Sequence, residues 1–533
     1  MVKERNQIFN ECYHLAWTQH KKNKDIPEGG AKGIIFIHPF SHIDFEALIL
    51  KKELEWLEMD ASEIEKRIQV FKEEQKWEYL YQSQRAFIDS LVTIVNCDEN
   101  GKIRARFIVD YWNKPEYLYL GPDENMHNSM IEWIANFSKK YHYKPGSAFI
   151  SSKPIAGINH KEYGVTSLGI NVYMHKILEY IGIDPQKIPF TVKMTGGPDG
   201  DVAGNQILNL YRFYPKTAKL IALTDGTGTI RDLEGLNLSI LAQLFKEEKG
   251  ICHYPPSELS PGSYLINKKT KRQPSDFIQE TLCIKKTPEG ILEETWLSGS
   301  ETNHLLRMTV HQTQADVFIP SGGRPQTLNE TNIEEFLDAN GKPTARAIIE
   351  GANLYLNNAA RHFLEKKGVL IIKDSSANKS GVICSSFEVL CGLSLNDATF
   401  IENKDELVKE ILERIDKCAS LEANLLIRTH QQSGEFLTSL SDQISESINK
   451  FTYQLLDYMD SIKLSTDPKD PLIRCFLNYC LPTLTSHFQK ELLEKIPEHH
   501  KKAIISRHLA SHLVYERGLN WSPSIVDILP LIL

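Results

Sequence analysis

A glycine-rich turn between an apolar strand and a helical stretch constrains this chain more than any other feature. Apolar and polar side chains alternate over Phe190–Met194, as they do along a strand, and four glycines then fall within nine residues. The apolar stretch Ile207–Leu210 follows at a spacing that suits a helix. Glycines let the backbone approach a pyrophosphate, and a helix N-terminus offers free N–H groups and a positive dipole. The pattern indicates a dinucleotide-binding unit, whose expected cofactor-binding positions are Gly196, Gly197, Gly200, Asp201, Val202 and Gly204.

The spacing of these glycines departs from G-x-G-x-x-G, because Pro198 and Asp199 are inserted. An ordinary glycine turn is therefore the alternative for this stretch taken alone. Two carboxylates beside a pyrophosphate would repel it, so we expect Asp199 and Asp201 to cap or shape the turn.

The next predicted strand favours cofactor binding. Lys219–Thr224 is largely apolar and ends at Asp225, about twenty residues past the turn, where a dinucleotide-binding fold places its acidic residue. A carboxylate there accepts hydrogen bonds from an adenosine ribose and repels a 2′-phosphate, which predicts NAD over NADP. The alternative is a solvated aspartate in an Asp-Gly-Thr-Gly turn.

The composition excludes several classes of protein. The 533 residues suffice for two or three domains, and the net charge of −8 offers no basic surface for nucleic acid. No apolar run is long enough for a membrane span. The nine cysteines include no C-x-x-C pair, so we expect reduced thiols, no metal site and a cytoplasmic location.

Short apolar strands alternate with helical stretches over residues 176–375, a pattern typical of a doubly wound sheet. Later strands are predicted at Asp316–Ile319, Ala347–Ile349 and Val369–Ile372, and the polar turns after them should share the cofactor side of the sheet. We predict an α/β fold in three parts. They are a substrate domain over 1–175 with a helical insertion at 41–110, a Rossmann-type domain over 176–390 with a partly helical insertion at 233–313, and a helical C-terminal region over 391–533.

Two polar side chains upstream of the sheet are candidates for catalysis. Lys32 lies in a glycine cluster before the predicted strand Ile34–Ile37, where burial and nearby cations would lower its pKa. A solvated basic loop is the alternative. Asp123 follows a predicted strand at Phe107–Tyr119 and precedes a predicted helix, so an ordinary N-cap is its plainer explanation.

Seven motifs, in order along the chain, resemble those of the amino-acid dehydrogenase superfamily and most closely the large NAD-specific glutamate dehydrogenases. They are the stretch Leu15–Pro27, the lysine turn Pro27–Gly33, Pro122–Asp123, Gly164–Gly169, Thr224–Gly228, Glu350–Asn353 and Ala377–Ser385. The resemblance implies reversible oxidative deamination, in which L-glutamate, NAD and water give 2-oxoglutarate, ammonium and NADH.

The same resemblance implies roles for individual residues. Lys32 would activate the water that attacks the iminium carbon, and Asp123 would carry protons to and from the substrate nitrogen and that water. The implied substrate-side residues are Lys22, Thr166 and Ser385, and the implied cofactor-side residues are Asn353 and Asn378.

The chain also departs from the family. Members carry several strands upstream of the lysine turn, whereas thirty-one residues precede Lys32 here. We therefore expect a fragment, a truncated chain or one part of a split enzyme, assembled as a homo-oligomer. The alternatives are a dehydrogenase for a branched or aromatic amino acid, or a non-catalytic NAD-binding subunit.

Overall fold

The computed structural model describes residues 2–26, 33–37, 41–98, 100–111, 113, 115–123 and 125–521. The chain divides into two compact units. Unit 1 comprises Met1–Cys12, Lys32–Gly157 and Glu388–Ile401, and unit 2 comprises Tyr13–Ala31, Ile158–Phe387 and Glu402–Leu533.

Nineteen α-helices lie in these described ranges. They are α1 (Val2–Lys21), α2 (Ser41–Trp56), α3 (Ala61–Val95), α4 (Asn128–Lys140), α5 (His160–Tyr163), α6 (Val165–Tyr180), α7 (Asp201–Phe213), α8 (Leu238–Lys246), α9 (Gly299–Gln312), α10 (Asn358–Lys366), α11 (Asp374–Ala377), α12 (Ser380–Ser394), α13 (Asp397–Glu402), α14 (Lys404–Ser433), α15 (Leu437–Asp460), α16 (Pro471–Tyr479), α17 (Pro482–His487), α18 (Gln489–Lys495) and α19 (Glu498–Arg517). Within the described chain, every helix is too short or too polar to serve as a membrane span.

A nine-stranded mixed sheet forms the centre of unit 2. Its strands are β1 (Phe190–Thr195), β2 (Ala218–Thr224), β3 (Gly228–Arg231), β4 (Tyr264–Ser275), β5 (Ile278–Lys286), β6 (Leu292–Ser298), β7 (Ala315–Pro320), β8 (Ala345–Ile349) and β9 (Leu370–Ile372). The strand order is β6-β5-β4-β3-β2-β1-β7-β8-β9, so β6 and β9 are the edges. Strands β2, β1, β7, β8 and β9 are parallel, and β3 to β6 extend the sheet with antiparallel pairs.

The parallel half confirms the predicted doubly wound arrangement. The chain leaves β1 toward β2 on one side and returns to β7 on the other. The order therefore reverses between β1 and β7, and ligands of such sheets bind at this switch point. Val192 and Met194 of β1 are fully buried and share a core with Ala203, Ile207 and Leu210 of α7. All five predicted parallel strands are present within two residues of their expected bounds.

The predicted insertion at 233–313 contains α8 and α9 but also three strands that the sequence pattern did not indicate. Only the start of β4 is apolar and buried, at Leu265 and Ile266, and its residues are exposed from Lys269 onward. Pairing with β5 holds this charged segment in place, with Arg272 donating to Glu280 across the strands at 2.6 Å. Tertiary pairing overrides local pattern here.

Unit 1 is built on helices in its described part. Ile88 and Val92 of α3 pack against Ile131 and Ile134 of α4 and against Phe149. A buried ion pair also lies in this unit, where the Nζ of Lys153 is 2.9 Å from Oε1 of Glu388 and both side chains are at most 3% exposed. The backbone N–H of Ser152 donates to the other oxygen of Glu388 at 2.8 Å.

Two strand predictions in this unit are wrong. The described residues of 107–119 form turns, bends and chain without regular secondary structure, and Phe107 and Val109 are 78% and 67% exposed. Residues 33–37 likewise have no regular secondary structure, and Ile34 is about two-fifths exposed. Apolar residues form a strand only where a neighbouring strand accepts their backbone hydrogen bonds.

The C-terminal region is helical, as predicted. Helix α14 packs against α6, and α15 packs against α19. Residues 492–507 belong to two helices, because α18 ends at Lys495 and Pro497 is the N-cap of α19. Proline has no backbone N–H to donate, so it stands at a helix start and not inside one.

Candidate cofactor and substrate site

The glycine turn after β1 lies at the switch point of the sheet. Gly196 has a φ of +89°, which an L side chain rarely adopts. A Cβ on Gly196 would lie 2.8 Å from the Cβ of Ala203 and 3.1 Å from the backbone N of Gly322. Gly322 follows β7, and a Cβ there would lie 2.8 Å from the Cα of Gly196. The turns after the two strands therefore touch through their backbones, and neither has room for a side chain.

Two further glycines of the turn are equally confined. A Cβ on Gly197 would overlap Oδ2 of Asp225, and a Cβ on Gly204 would overlap the carbonyl oxygen of Pro198 and the ring of Phe245. The turn therefore packs directly against the loop after β2 on one side and against the backbone of α7 on the other. This is the close approach of helix, strand and ligand for which dinucleotide-binding turns use glycine.

Helix α7 begins directly at this turn. Gly200 is its N-cap and has no side chain to occupy the first N–H groups, which leaves the positive end of the helix dipole open to an anion. Two carboxylates lie nearby. Burial raises the pKa of Asp201, and burial together with the charge of Asp225 raises the pKa of Asp199.

Asp225 organises the loop after β2. Its Oδ1 accepts hydrogen bonds from the backbone N–H and the hydroxyl of Thr227, both at 2.7 Å, and from the N–H of Gly228 at 2.9 Å. Its Oδ2 accepts from the N–H of Ile251 at 2.8 Å. A carboxylate offers about four acceptor sites. Asp225 therefore has a structural role in this turn, and a ribose hydroxyl would share an oxygen that already has a donor.

Three predicted site residues meet beside the turns after β8 and β9. The Nζ of Lys22 donates to Oδ1 of Asn353 at 3.3 Å, and Nδ2 of Asn378 donates to the same oxygen at 2.8 Å. Asn378 also donates to the carbonyl oxygen of Gly351 at 3.0 Å. Lys22 is 4% exposed and Asn378 is 5% exposed. The fold thus joins residues that are more than 300 positions apart in the sequence.

A buried ionic network that sequence analysis missed holds these two turns. The guanidinium of Arg361 donates to both carboxylate oxygens of Glu350 at 2.7 Å, and to Oδ1 of Asp374 at 3.2 Å. Asp374 in turn accepts from the N–H of Leu354 at 2.8 Å and from that of Ser375 at 2.9 Å. Burial raises the pKa of Glu350 to about 7, against the opposing charge of Arg361.

The network lies at the carboxyl ends of two strands. Glu350 directly follows β8, and Asp374 lies two residues after β9. Carboxylates placed directly after buried strands are the sequence pattern that could have indicated it, because a buried carboxylate requires a cationic partner.

The remaining predicted residues are placed separately. The hydroxyl of Ser385 in α12 donates to the carbonyl oxygen of Val382 at 3.0 Å. Thr166, in the first turn of α6, has its Oγ1 3.2 Å from where a Cβ of Gly381 would stand. Asp123, in unit 1, is exposed and lies five residues before α4, whose N-cap is His127, so the N-cap explanation for Asp123 is wrong. Lys32 lies outside the described residues.

Known families and proteins resemble this chain. The Glutamate/Leucine/Phenylalanine/Valine dehydrogenase family matches residues 156–433, and the catalytic domain of bacterial NAD-glutamate dehydrogenases matches residues 62–224. The chain is 32% identical to a probable NAD-specific glutamate dehydrogenase of Schizosaccharomyces pombe, over 97% of this chain and 42% of that protein. It is 30% identical to the NAD-specific glutamate dehydrogenase of Saccharomyces cerevisiae, over 96% of this chain and 43% of that protein.

The chain spans less than half the length of these curated relatives. A solved glutamate dehydrogenase of Thermus thermophilus is 16% identical, with a TM-score of 0.42 over 68% of this chain and 66% of that chain. That likeness is too distant to support an argument. The family match, which covers more than half of the residues, shows that the chain belongs to the Glutamate/Leucine/Phenylalanine/Valine dehydrogenase family.

Proposed function

We propose that this chain carries the cofactor-binding and substrate-binding parts of an NAD-dependent glutamate dehydrogenase. The reaction is the oxidative deamination of L-glutamate by NAD and water to 2-oxoglutarate, ammonium and NADH. The observation that carries the proposal is the confined glycine turn at the switch point between β1 and β7. The names of the curated relatives, which are NAD-specific glutamate dehydrogenases, support the choice of substrate and cofactor.

The residues present fit a dinucleotide. Gly196, Gly197 and Gly200 give the backbone access to a pyrophosphate, and the open N-terminus of α7 meets its charge. Asp225 borders Gly197 and supplies the carboxylate for a ribose hydroxyl. NAD, when bound, accepts a hydride from the substrate α-carbon. Asn353 and Asn378 are the amides that orient the nicotinamide side of the site, and Arg361 fixes the turns that carry them.

The substrate is held by charge. Lys22 provides a buried cation for a carboxylate of glutamate, and Ser385 and Thr166 provide hydroxyls. In this proposal Lys32 activates the attacking water and Asp123 moves protons between that water and the substrate nitrogen. Assembly as a homo-oligomer and a cytoplasmic location remain predictions from the sequence.

The first test is the production of NADH by the purified chain with L-glutamate and NAD. Matched reactions contain NADP in place of NAD, or leucine or aspartate in place of glutamate. Turnover limited to glutamate and NAD supports the full proposal. Turnover with leucine would favour the branched-chain alternative. Binding of NAD without turnover would support the proposed cofactor site and would favour the alternative of a non-catalytic NAD-binding subunit.

A pair of glycine variants tests the turn itself. Gly197→Ala would force a methyl group onto Oδ2 of Asp225, whereas Gly226→Ala adds a methyl group with no neighbour within 4 Å. We expect the affinity for NAD, measured by titration, to fall at least tenfold in the first variant and to stay unchanged in the second. Equal NAD affinity in both variants and in the parent chain would place the cofactor elsewhere.

A further inference from the structure

The chain turns sharply at Lys22, the residue proposed to bind a substrate carboxylate. Helix α1 ends at Lys21, and residues 22–26 belong to no helix or strand. Asn23 has a φ of +53°, in the left-handed region that is uncommon outside glycine. A backbone conformation of this kind persists only where the surrounding structure holds it. The placement of Lys22 therefore depends on contacts that its neighbours make.

Helix α15 holds the residues on both sides of Lys22. The hydroxyl of Ser445 donates to the carbonyl oxygen of Lys21 at 2.7 Å, and Nδ2 of Asn23 donates to the carbonyl oxygen of Ser445 at 3.1 Å. Nearly one turn earlier on α15, Oδ1 of Asp442 accepts from the Nζ of Lys21 at 2.6 Å. Residues three positions apart share one face of a helix. Three hydrogen bonds between this face and the turn thus hold the backbone that carries Lys22.

The same oxygen of Asp442 also holds the turn after β9. The Nζ of Lys373 donates to it at 2.6 Å, and Lys373 is 6% exposed. Lys373 directly precedes Asp374, which accepts a hydrogen bond from Arg361 in the network described above. One carboxylate of the C-terminal region therefore links the turn that carries Lys22 to the turns on the cofactor side.

This link depends on the negative charge of Asp442. Burial opposes that charge, but the charges of Lys373 and Lys21 outweigh burial and hold the pKa of Asp442 below its ordinary value. Lys21 and Lys373 donate to one oxygen, so their ammonium groups are close neighbours. Without a carboxylate between them, the two cations would repel each other. Because Lys21 is covalently joined to Lys22, its displacement would also move Lys22.

We propose that Asp442 is a positioning residue for substrate binding, which acts through Lys21 and Lys373 to hold Lys22 in place. The inference rests on the proposed function, in which Lys22 binds a carboxylate of glutamate. With its backbone held, Lys22 keeps its Nζ 3.3 Å from Oδ1 of Asn353, beside the cofactor-side turns. The C-terminal helices thereby contribute to substrate binding, through the placement of a lysine from the opposite end of the chain.

The test is a double-mutant cycle on the binding of glutarate, which has the two carboxylates of glutamate without the amino group. Calorimetry of the full chain with NADH present gives Kd for the parent chain, Asp442→Asn, Lys22→Met and the double variant. We expect Asp442→Asn to raise Kd about tenfold, because a displaced Lys22 loses much of one charge-assisted hydrogen bond. In the Lys22→Met background the same change should have no further effect on Kd. A residue that only stabilises the fold would give additive effects instead.

Three more variants complete the design. Asp457→Asn makes the same chemical change at an exposed position of α15 and should leave Kd unchanged. Asp442→Glu keeps the charge and should hold Kd within about threefold of the parent value. Ser445→Ala removes only the hydrogen bond to the carbonyl oxygen of Lys21 and should raise Kd about threefold. This milder variant keeps the test decisive if Asp442→Asn fails to fold.

The possible failures are distinguishable. A Kd that neither Asp442→Asn nor Ser445→Ala changes, or an equal effect of Asp442→Asn in the parent and Lys22→Met backgrounds, would overturn the positioning role. The proposed function would stand in that case, since the parent chain would still bind glutarate and lose affinity in Lys22→Met. Absence of glutarate binding by the parent chain would instead refute the proposed substrate site, and the positioning role with it.

Discussion

Removal of the guanidinium of Arg361 is the sharpest test of how the site is held together. Arg361→Met keeps the length of the side chain but removes four hydrogen bonds, two to Glu350 at 2.7 Å, one to Asp374 at 3.2 Å and one to Oδ1 of Asn358 at 3.0 Å. Arg361 is 4% exposed and Glu350 is fully buried. The variant therefore leaves two carboxylates facing each other away from water with no cation between them.

The expected cost follows from that arrangement. Breaking a buried ion pair by removing one partner destabilises a protein by about 3–5 kcal/mol. Unit 2 contains roughly 380 residues, for which an unfolding entropy of about 2.1 cal/mol/K per residue gives about 0.8 kcal/mol/K. A loss of about 4 kcal/mol then lowers the Tm of unit 2 by about 5 °C.

Differential scanning calorimetry of the full chain measures this shift. The control is Arg346→Met, since Arg346 is half exposed and its Nη1 lies 3.4 Å from Asp316, a surface pair expected to contribute at most about 1 kcal/mol. Adding Glu350→Gln to Arg361→Met removes one of the stranded charges. The double variant should therefore be more stable than the sum of the single effects by about 0.5–3 kcal/mol. Equal Tm values for Arg361→Met and Arg346→Met would refute the network as a stabilising element.

Three further predictions concern other buried groups. Lys153→Met leaves Glu388 buried without its cation and should destabilise unit 1 by about 3–5 kcal/mol; hydrogen exchange of α4 would report it, and exposed Lys140→Met should show no such change. Burial raises the pKa of Glu350 from 4.5 to about 7. The stabilisation that the folded state gains from protonated Glu350 is therefore fully present below pH 4.5 and is lost as the pH rises to 7. The parent chain should thus lose up to about 3 kcal/mol relative to Glu350→Gln over that window in thermal unfolding, and parallel pH profiles would contradict this. Asn378→Ala removes the two hydrogen bonds that hold Asn353 and Gly351, and should weaken NAD binding about tenfold in a fluorescence titration without changing the Tm by more than 2–3 °C; unchanged NAD affinity would remove Asn378 from the site.

The parallel half of the sheet could be predicted from the sequence because its strands are buried on both faces. Such strands form short apolar runs closed by polar turns, and β1, β2, β7, β8 and β9 all follow that pattern. Strands β4 to β6 do not, because much of their length is polar and exposed and depends on pairing across the hairpins. Local pattern carries no information about such pairing.

Some residues of the candidate site could likewise be predicted from the sequence, and others could not. The glycine turn could be predicted because Gly196 and Gly197 have no room for a side chain, so that the sequence itself contains glycine at both positions. The partner of Glu350 was not, because Arg361 lies in an ordinary amphipathic helix and only the fold shows which arginine reaches the carboxylate. Lys22 and Asn353 likewise meet only through the tertiary structure.

The two edges of the nine-stranded sheet bear on how this protein behaves at high concentration. An exposed edge strand can recruit a strand from another molecule and so begin aggregation. Edge strand β9 has three residues and packs against α15, which leaves little backbone to template a neighbour. The other edge, β6, carries Glu293 and Glu294 side by side on its exposed first half. The charged residues of β6 and the short length of β9 both disfavour β-pairing between molecules. The titrations described above require protein that does not aggregate.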